Sequence, residues 1–173
     1  MTSLLSRPNA FVGSASRKLQ VVVAALAVMA FGLSISVVVA QDDAKKEEGV
    51  PGVVASADGW DIHYTYWESP MGKEAPVVIL LHGKGQARLI WKALPLAKEL
   101  AKKQFAVIAV DLRKHGESKA AENASVQAKS DKLSKFDYEG MVLGDLEAIK
   151  KFLYAEHQAQ RLNMRKVGVV ATD

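Results

Sequence analysis

Residues 76–83 read PVVILLHG, and the fold turns on that stretch. Val77 to Leu81 are apolar without a break and β-branched at the start. A run so short predicts a strand covered on both faces rather than a helix. His82 and Gly83 end it with a polar side chain and the residue best suited to a sharp turn. In residues 89–103, LIWKALPLAKELAKK, Ile90, Leu94, Ala97 and Ala101 fall on one helical stripe, with Pro95 in or near a first turn. Residues 104–118, QFAVIAVDLRKHGES, supply a second covered strand from Phe105 to Val110 and then a polar loop. Strand, helix, strand is the unit of a parallel sheet.

Upstream, residues 53–69 read VVASADGWDIHYTYWES, with Asp58-Gly59 as a turn signal between two extended stretches. Trp60, Ile62, Tyr64 and Tyr66 alternate with Asp61, His63, Thr65 and Trp67, the period of a half-covered antiparallel strand. His63 falls on the polar face and reads as solvated. Downstream, residues 119–136 are small, charged and aperiodic, which predicts a surface loop; its Asn123-Ala124-Ser125 sequon matters only in a eukaryotic secretory route. A long helix is predicted from Asp137 to about Leu162. Val142, Leu146, Ile149 and Leu153 form its stripe, with Glu147, Lys150, Lys151 and His157 turned to solvent. The segment MRKVGVVATD, residues 164–173, reads as a third covered strand. The fold class is therefore α/β, a largely parallel sheet with right-handed crossovers and an N-terminal antiparallel hairpin.

The chain has 173 residues, 49% of them hydrophobic and 24% charged, a globular balance for one domain. Its formal charge of +4 comes mostly from the front: residues 1–40 hold three of the 23 basic residues and none of the 19 acidic ones, leaving 20 against 19. A nearly neutral body gives no electrostatic footprint for nucleic acid. Cysteine is absent, which excludes disulfides, thiol chemistry and thiolate zinc sites. Arg17-Lys18 precede a 22-residue apolar run, Leu19–Ala40, ending in small or β-branched residues at Val38 and Ala40 before QDD. Residues 1–40 thus read as a cleaved signal peptide or an uncleaved membrane anchor, since at ~1.5 Å per residue the run can span a bilayer. Both place the body outside the cytoplasm, secreted or periplasmic. Residues 41–50 read as a charged linker and 51–173 as the domain.

Ligands of such sheets collect outside the carboxyl ends of the strands. Three ends qualify: His82-Gly83, Asp111 to Ser118, and Thr172-Asp173. Together they resemble the N-terminal half of an α/β-hydrolase. His82-Gly83 match the family's HG turn. Asp111, Arg113, His115, Gly116 and Ser118 match its D-x-R-G-H-G-x-S segment, with Lys114 in place of the first glycine. The resemblance covers about residues 50–173. It implies that the backbone around Gly83 and Lys84 supplies a donor to an oxyanion. It also implies that His82, Asp111, Arg113, His115, Gly116 and Ser118 are mainly architectural. If the replaced glycine had positive φ, Lys114 would carry ~1–2 kcal/mol of strain.

The family sets its nucleophile on a G-x-Nu-x-G elbow after the strand that follows the second helix. Aligned on it, Ala171 takes the first glycine, Thr172 the middle position and Asp173 the nucleophile; a slip of one residue would put Thr172 there. A carboxylate can attack carbon and form an ester that water cleaves. The family's acid and histidine base follow the elbow in chain order, so no histidine here is assigned as base, and the chain reads as an inactive fragment of a longer protein. The implied activity is hydrolysis, without cofactor or metal, of an ester, amide, epoxide or carbon–halogen bond in a small or medium-sized molecule or a peptide. The alternative is a non-catalytic binding protein on the same fold, or an unrelated doubly wound domain. No G-x-G-x-x-G supports a nucleotide version of the last.

Overall fold

Asp58 and Gly59 fold the chain back on itself in the computed structural model, which describes residues 48–120 and 125–173. The leader or anchor, most of the linker and Asn123 lie outside the described residues. β1 (Val50–Ala55) and β2 (Asp61–Trp67) pair antiparallel, Ala55 opposite Asp61, across a turn in which Gly59 takes φ +87°. Ile62, Tyr64 and Tyr66 are buried on one face of β2, and Phe152 stacks against both tyrosine rings at 4.8 and 5.4 Å. The alternation in sequence becomes a packed face.

β3 (Pro76–Leu81), β4 (Ala106–Val110) and β5 (Asn163–Ala171) complete a sheet of order β1-β2-β4-β3-β5. β2 pairs β4 antiparallel, and β3 lies parallel to both β4 and β5. Alternate residues feed two cores. Val77, Ile108 and Val110 pack with Ile149, Leu153 and Leu162, while Val78, Leu80, Val107 and Ala109 pack with Trp91 and Ala97. The second core is covered by α1 (Ile90–Ala93) and α2 (Leu96–Lys102). Beyond β4 come α3 (Val126–Lys129), α4 (Lys135–Gly140) and, after a π-helical turn at Met141–Leu146, α5 (Glu147–Gln158), which covers the first core.

Several expectations need correction. Pro95 does interrupt the first stripe, but Leu94 is left 52% exposed and Trp91 is buried instead. Residues 126–129 form a turn of helix inside the predicted loop. The π-turn inserts extra residues into the long helix and rotates its stripe. Val142 is therefore exposed, whereas Met141, Gly144 and Asp145 face inward before Ile149 and Leu153 resume the pattern. That helix ends at Gln158 rather than Leu162. Gln160 takes φ +61°, its N–H donates to His157 O, and the Arg161 N–H donates to Glu156 O, the paired bonds of a Schellman stop. His157 is half-buried, its Nδ1 bonded to Leu162 O at 3.0 Å. Among the described residues no layer covers the outer face of β5, which sits at the sheet edge with Val167, Val169 and Val170 exposed.

Candidate functional site

The chain leaves β3 for β4 on one side and returns in β5 on the other, so the crevice opens between the ends of β3 and β5. Two predicted strand ends meet there. The Thr172 N–H donates to Leu81 O at 3.1 Å, carrying the ladder one residue past β5. The Gly83 N–H is shared between Thr172 Oγ1 at 2.8 Å and Gln86 Oε1 at 3.0 Å, and the Thr172 hydroxyl donates to Gln86 Oε1 at 2.8 Å. A Cβ on Gly83 would stand 2.8 Å from the backbone carbon of Asp173, so a glycine is needed where these strand ends touch. Asp173 itself is exposed at the rim.

Gly83 also starts a tight turn. The Gln86 N–H returns to Gly83 O at 3.1 Å, and Gly85, third in the turn, has φ +75°. That is the position where a type II turn calls for glycine. Lys84, second in the turn, is exposed. Of the backbone around Gly83 and Lys84, which the resemblance implies supplies a donor, the Gly83 amide is engaged by side-chain oxygens of its own chain.

His82 is buried. Its Nε2 accepts the Leu112 N–H at 3.1 Å and its Nδ1 donates to Gly83 O at 2.9 Å, which fixes a neutral tautomer. Burial pulls its pKa below the usual histidine value, with the nearby His115 adding to the shift and the Gly83 carbonyl opposing it. The His115 ring lies 4.7 Å away, its Nδ1 bonded to Arg113 O at 2.9 Å. Both ring nitrogens of His82 are thus used in holding the β3 and β4 loops together.

The Asp111–Ser118 loop is closed by its own bonds. Asp111 accepts from the Arg88 backbone N–H at 2.6 Å, from the Glu117 N–H at 3.0 Å, and from the Arg88 guanidinium. Gly116, at φ +51°, leaves room for the Asp111 carboxylate, which any Cβ there would strike. Ser118 Oγ donates to Asp111 O at 2.7 Å and accepts from the His63 N–H at 2.8 Å. His63 Nδ1 lies 3.4 Å from Glu117, whose carboxyl is held below its usual range by Arg88.

Arg113 points away from the crevice. Its guanidinium bonds Asp145 at 2.7 and 3.0 Å and Asp58 at 2.6 and 3.0 Å, with Trp60 beneath it. Gly140 and Gly144 provide the space; a Cβ on either would collide with the guanidinium. Burial pushes the Asp145 carboxyl above its usual range against the pull of Arg113. Lys114 takes φ +66°, the conformation that favours glycine. Its ammonium reaches Asp137 at 2.9 Å and Lys132 O at 3.2 Å, tying the loop to the Ser134–Asp137 capping box of α4.

Sequence reading missed Gln86, Arg88, Asp58 and Asp145. Asp145 had a signal, an acid inside an apolar stripe, but the π-turn hid its phase. Gln86 and Arg88 lie in an aperiodic turn and carry none. Among the described residues no group of three metal-ligating side chains gathers, and no helix is long and apolar enough to cross a membrane.

The sequence pattern of the alpha/beta hydrolase fold matches residues 76–170, more than half of the chain. Protein phosphatase methylesterase 1 of Rattus norvegicus is 39% identical over 59 residues, 34% of this chain and 15% of that protein; the Homo sapiens protein matches equally. Among solved structures, an esterase of Pyrococcus furiosus aligns with a TM-score of 0.52 at 21% identity, over 73% of this chain and 43% of that one. An epoxide hydrolase of Vigna radiata aligns with a TM-score of 0.48 at 26% identity, over 73% and 31%. The chain spans less than half of these proteins, and the curated match covers a short stretch.

Proposed function

The chain belongs to the alpha/beta hydrolase fold family, and from that premise we propose that it carries the nucleophile of an exported hydrolase, Asp173. The observation that supports this is the close approach of the Asp173 backbone to Gly83 where two parallel strands end side by side. The Asp173 carboxylate attacks a carbon bearing a leaving group. The leaving group departs with the bonding pair, leaving an alkyl ester from attack at saturated carbon or a mixed anhydride from attack at an acyl carbon, and water cleaves that intermediate at Cγ. The substrate is a small or medium-sized molecule with an ester, amide, epoxide or carbon–halogen bond. A carboxylate is best matched to the last two, where attack at saturated carbon gives an alkyl ester. Export rests on the apolar run Leu19–Ala40.

The test uses the protein expressed from its reading frame through to the stop codon. Turnover of p-nitrophenyl butyrate, styrene oxide or 1-bromobutane is expected, and Asp173→Ala abolishes it. A single turnover in 18O-water places the label in the Asp173 carboxylate. Turnover that survives Asp173→Ala removes that residue from the mechanism. Absence of turnover favours the second reading, a binding protein on the same fold, which the engaged Gly83 amide also supports.

A further inference from the structure

We propose that Gln86 contacts substrate at this crevice, its Nε2 donating to the atom on which negative charge develops; the proposal rests on the hydrolase reading above. Gly83 N–H can only donate, so the carboxamide atom 3.0 Å from it is the oxygen. The Thr172 hydroxyl donates to the same oxygen at 2.8 Å. Two donors from two strand ends therefore fix the orientation of one planar group. A carboxamide held at its oxygen is also held at its nitrogen, which carries two N–H donors. Among the described residues Nε2 donates to none, and Gln86 is half-buried beside Asp173's neighbour Thr172.

The arrangement replaces what the Gly83 amide gives up. That amide is consumed in holding Thr172 and Gln86, while Nε2 is oriented by the same bonds and unclaimed. A donor fixed before the reaction stabilises developing charge without reorganising, which is where such groups have their largest effect. Gln86 also reports on the β5 end: displacement of Thr172 frees one of the two bonds that aim it.

The test pairs two variants in the protein expressed through its stop codon, with p-nitrophenyl butyrate and styrene oxide as probes. Gln86→Met keeps the length and loses both donor and acceptor. Gln86→Glu keeps the acceptor for Gly83 and Thr172 but replaces the donor with a negative charge. Loss of one such donor lowers kcat by roughly 10²-fold. That fall in both variants, with KM little changed and Gly83 amide exchange in Gln86→Glu as in the wild type, is the expected result. Unchanged kcat in Gln86→Met overturns the donor role and leaves the hydrolase reading standing. A fall accompanied by lost Gly83 protection in Gln86→Glu assigns Gln86 to structural support and also overturns it. Absence of turnover in the wild type overturns the hydrolase reading and this one with it.

Discussion

Gly83 and Asp173 stand back to back at the tips of β3 and β5, so close that a Cβ on Gly83 would lie 2.8 Å from the Asp173 backbone carbon and 3.1 Å from its carbonyl oxygen. A side chain at position 83 therefore cannot coexist with the present end of β5. Gly83→Ala should force the strand tips apart and destabilise by about 1–3 kcal/mol, the usual range for overpacking. Urea midpoints measure the first effect. On the hydrolase proposed above, loss of turnover under conditions where the variant is still folded measures the displacement of Asp173. A midpoint equal to wild type would separate the two strand ends.

Arg113 joins three parts of the fold: the β1–β2 turn through Asp58, its own loop, and the helix after it through Asp145. The Asp145 side chain has no exposed surface. Arg113→Leu would leave that buried carboxylate without a counter-charge, keeping only the bond from the residue 113 backbone N–H at 2.8 Å, a change that costs about 3–5 kcal/mol. Arg113→Leu/Asp145→Asn should recover part of the loss, and chemical denaturation of the four members of the cycle checks it. Equal stability of the single and double variants would remove Asp145 as the partner that matters.

Both contacts join segments far apart in the chain, which bears on how far the sequence could be read. The strands and their ends were legible because β3 and β4 are short apolar runs closed by polar residues, and because β2 alternates cleanly. The end of the long helix was not. α5 closes with Gln160 at positive φ, where sequence reading looks for glycine. In β5, five small and apolar residues, Val167 to Ala171, mark the strand, but nothing in that run says whether a layer covers it. At the candidate site, the HG turn and Asp173 are singled out by residue type and position after a strand. Gln86 bonds across to Thr172 beyond another strand, and no local pattern encodes that.

Lys114 sits where the related pattern has glycine, and its backbone adopts the left-handed conformation at φ +66°. Such a residue carries ~1–2 kcal/mol of strain. The ammonium is almost wholly buried against Asp137 and Lys132 O, so the side chain offsets part of what the backbone costs. Lys114→Gly should leave stability within about 1 kcal/mol of wild type, since relief and loss oppose each other. Lys114→Met keeps the strain and loses the tie, and should be the less stable of the two. Thermal unfolding ranks them; the reverse order would mean that the left-handed backbone at position 114 carries no strain, and Lys114→Met as stable as wild type would mean that the ammonium contacts to Asp137 and Lys132 O contribute nothing.

His82 gives the crevice an acid limit. Burial holds its pKa below the usual 6.5, and the ring uses Nε2 to accept the Leu112 N–H. Protonation would place a second N–H at Nε2, facing that donor. Between 6.5 and the lowered folded value the unfolded chain takes up a proton that the folded chain refuses. Stability from this group is therefore complete above 6.5 and is lost as pH falls through the window, by about 1.4 kcal/mol for every tenfold by which folding weakens proton binding. Denaturation midpoints between pH 7.5 and 5 should decline in the wild type and decline less in His82→Gln, whose amide oxygen can still accept from Leu112. Because His82 also holds the Gly83 carbonyl, the protection of the Gly83 amide against exchange, taken relative to the intrinsic rate at each pH, should decline over the same range. A His82 titration at or above 6.5 by NMR would show that the ring is not held in its acceptor form, and the acid limit would then have to come from another group.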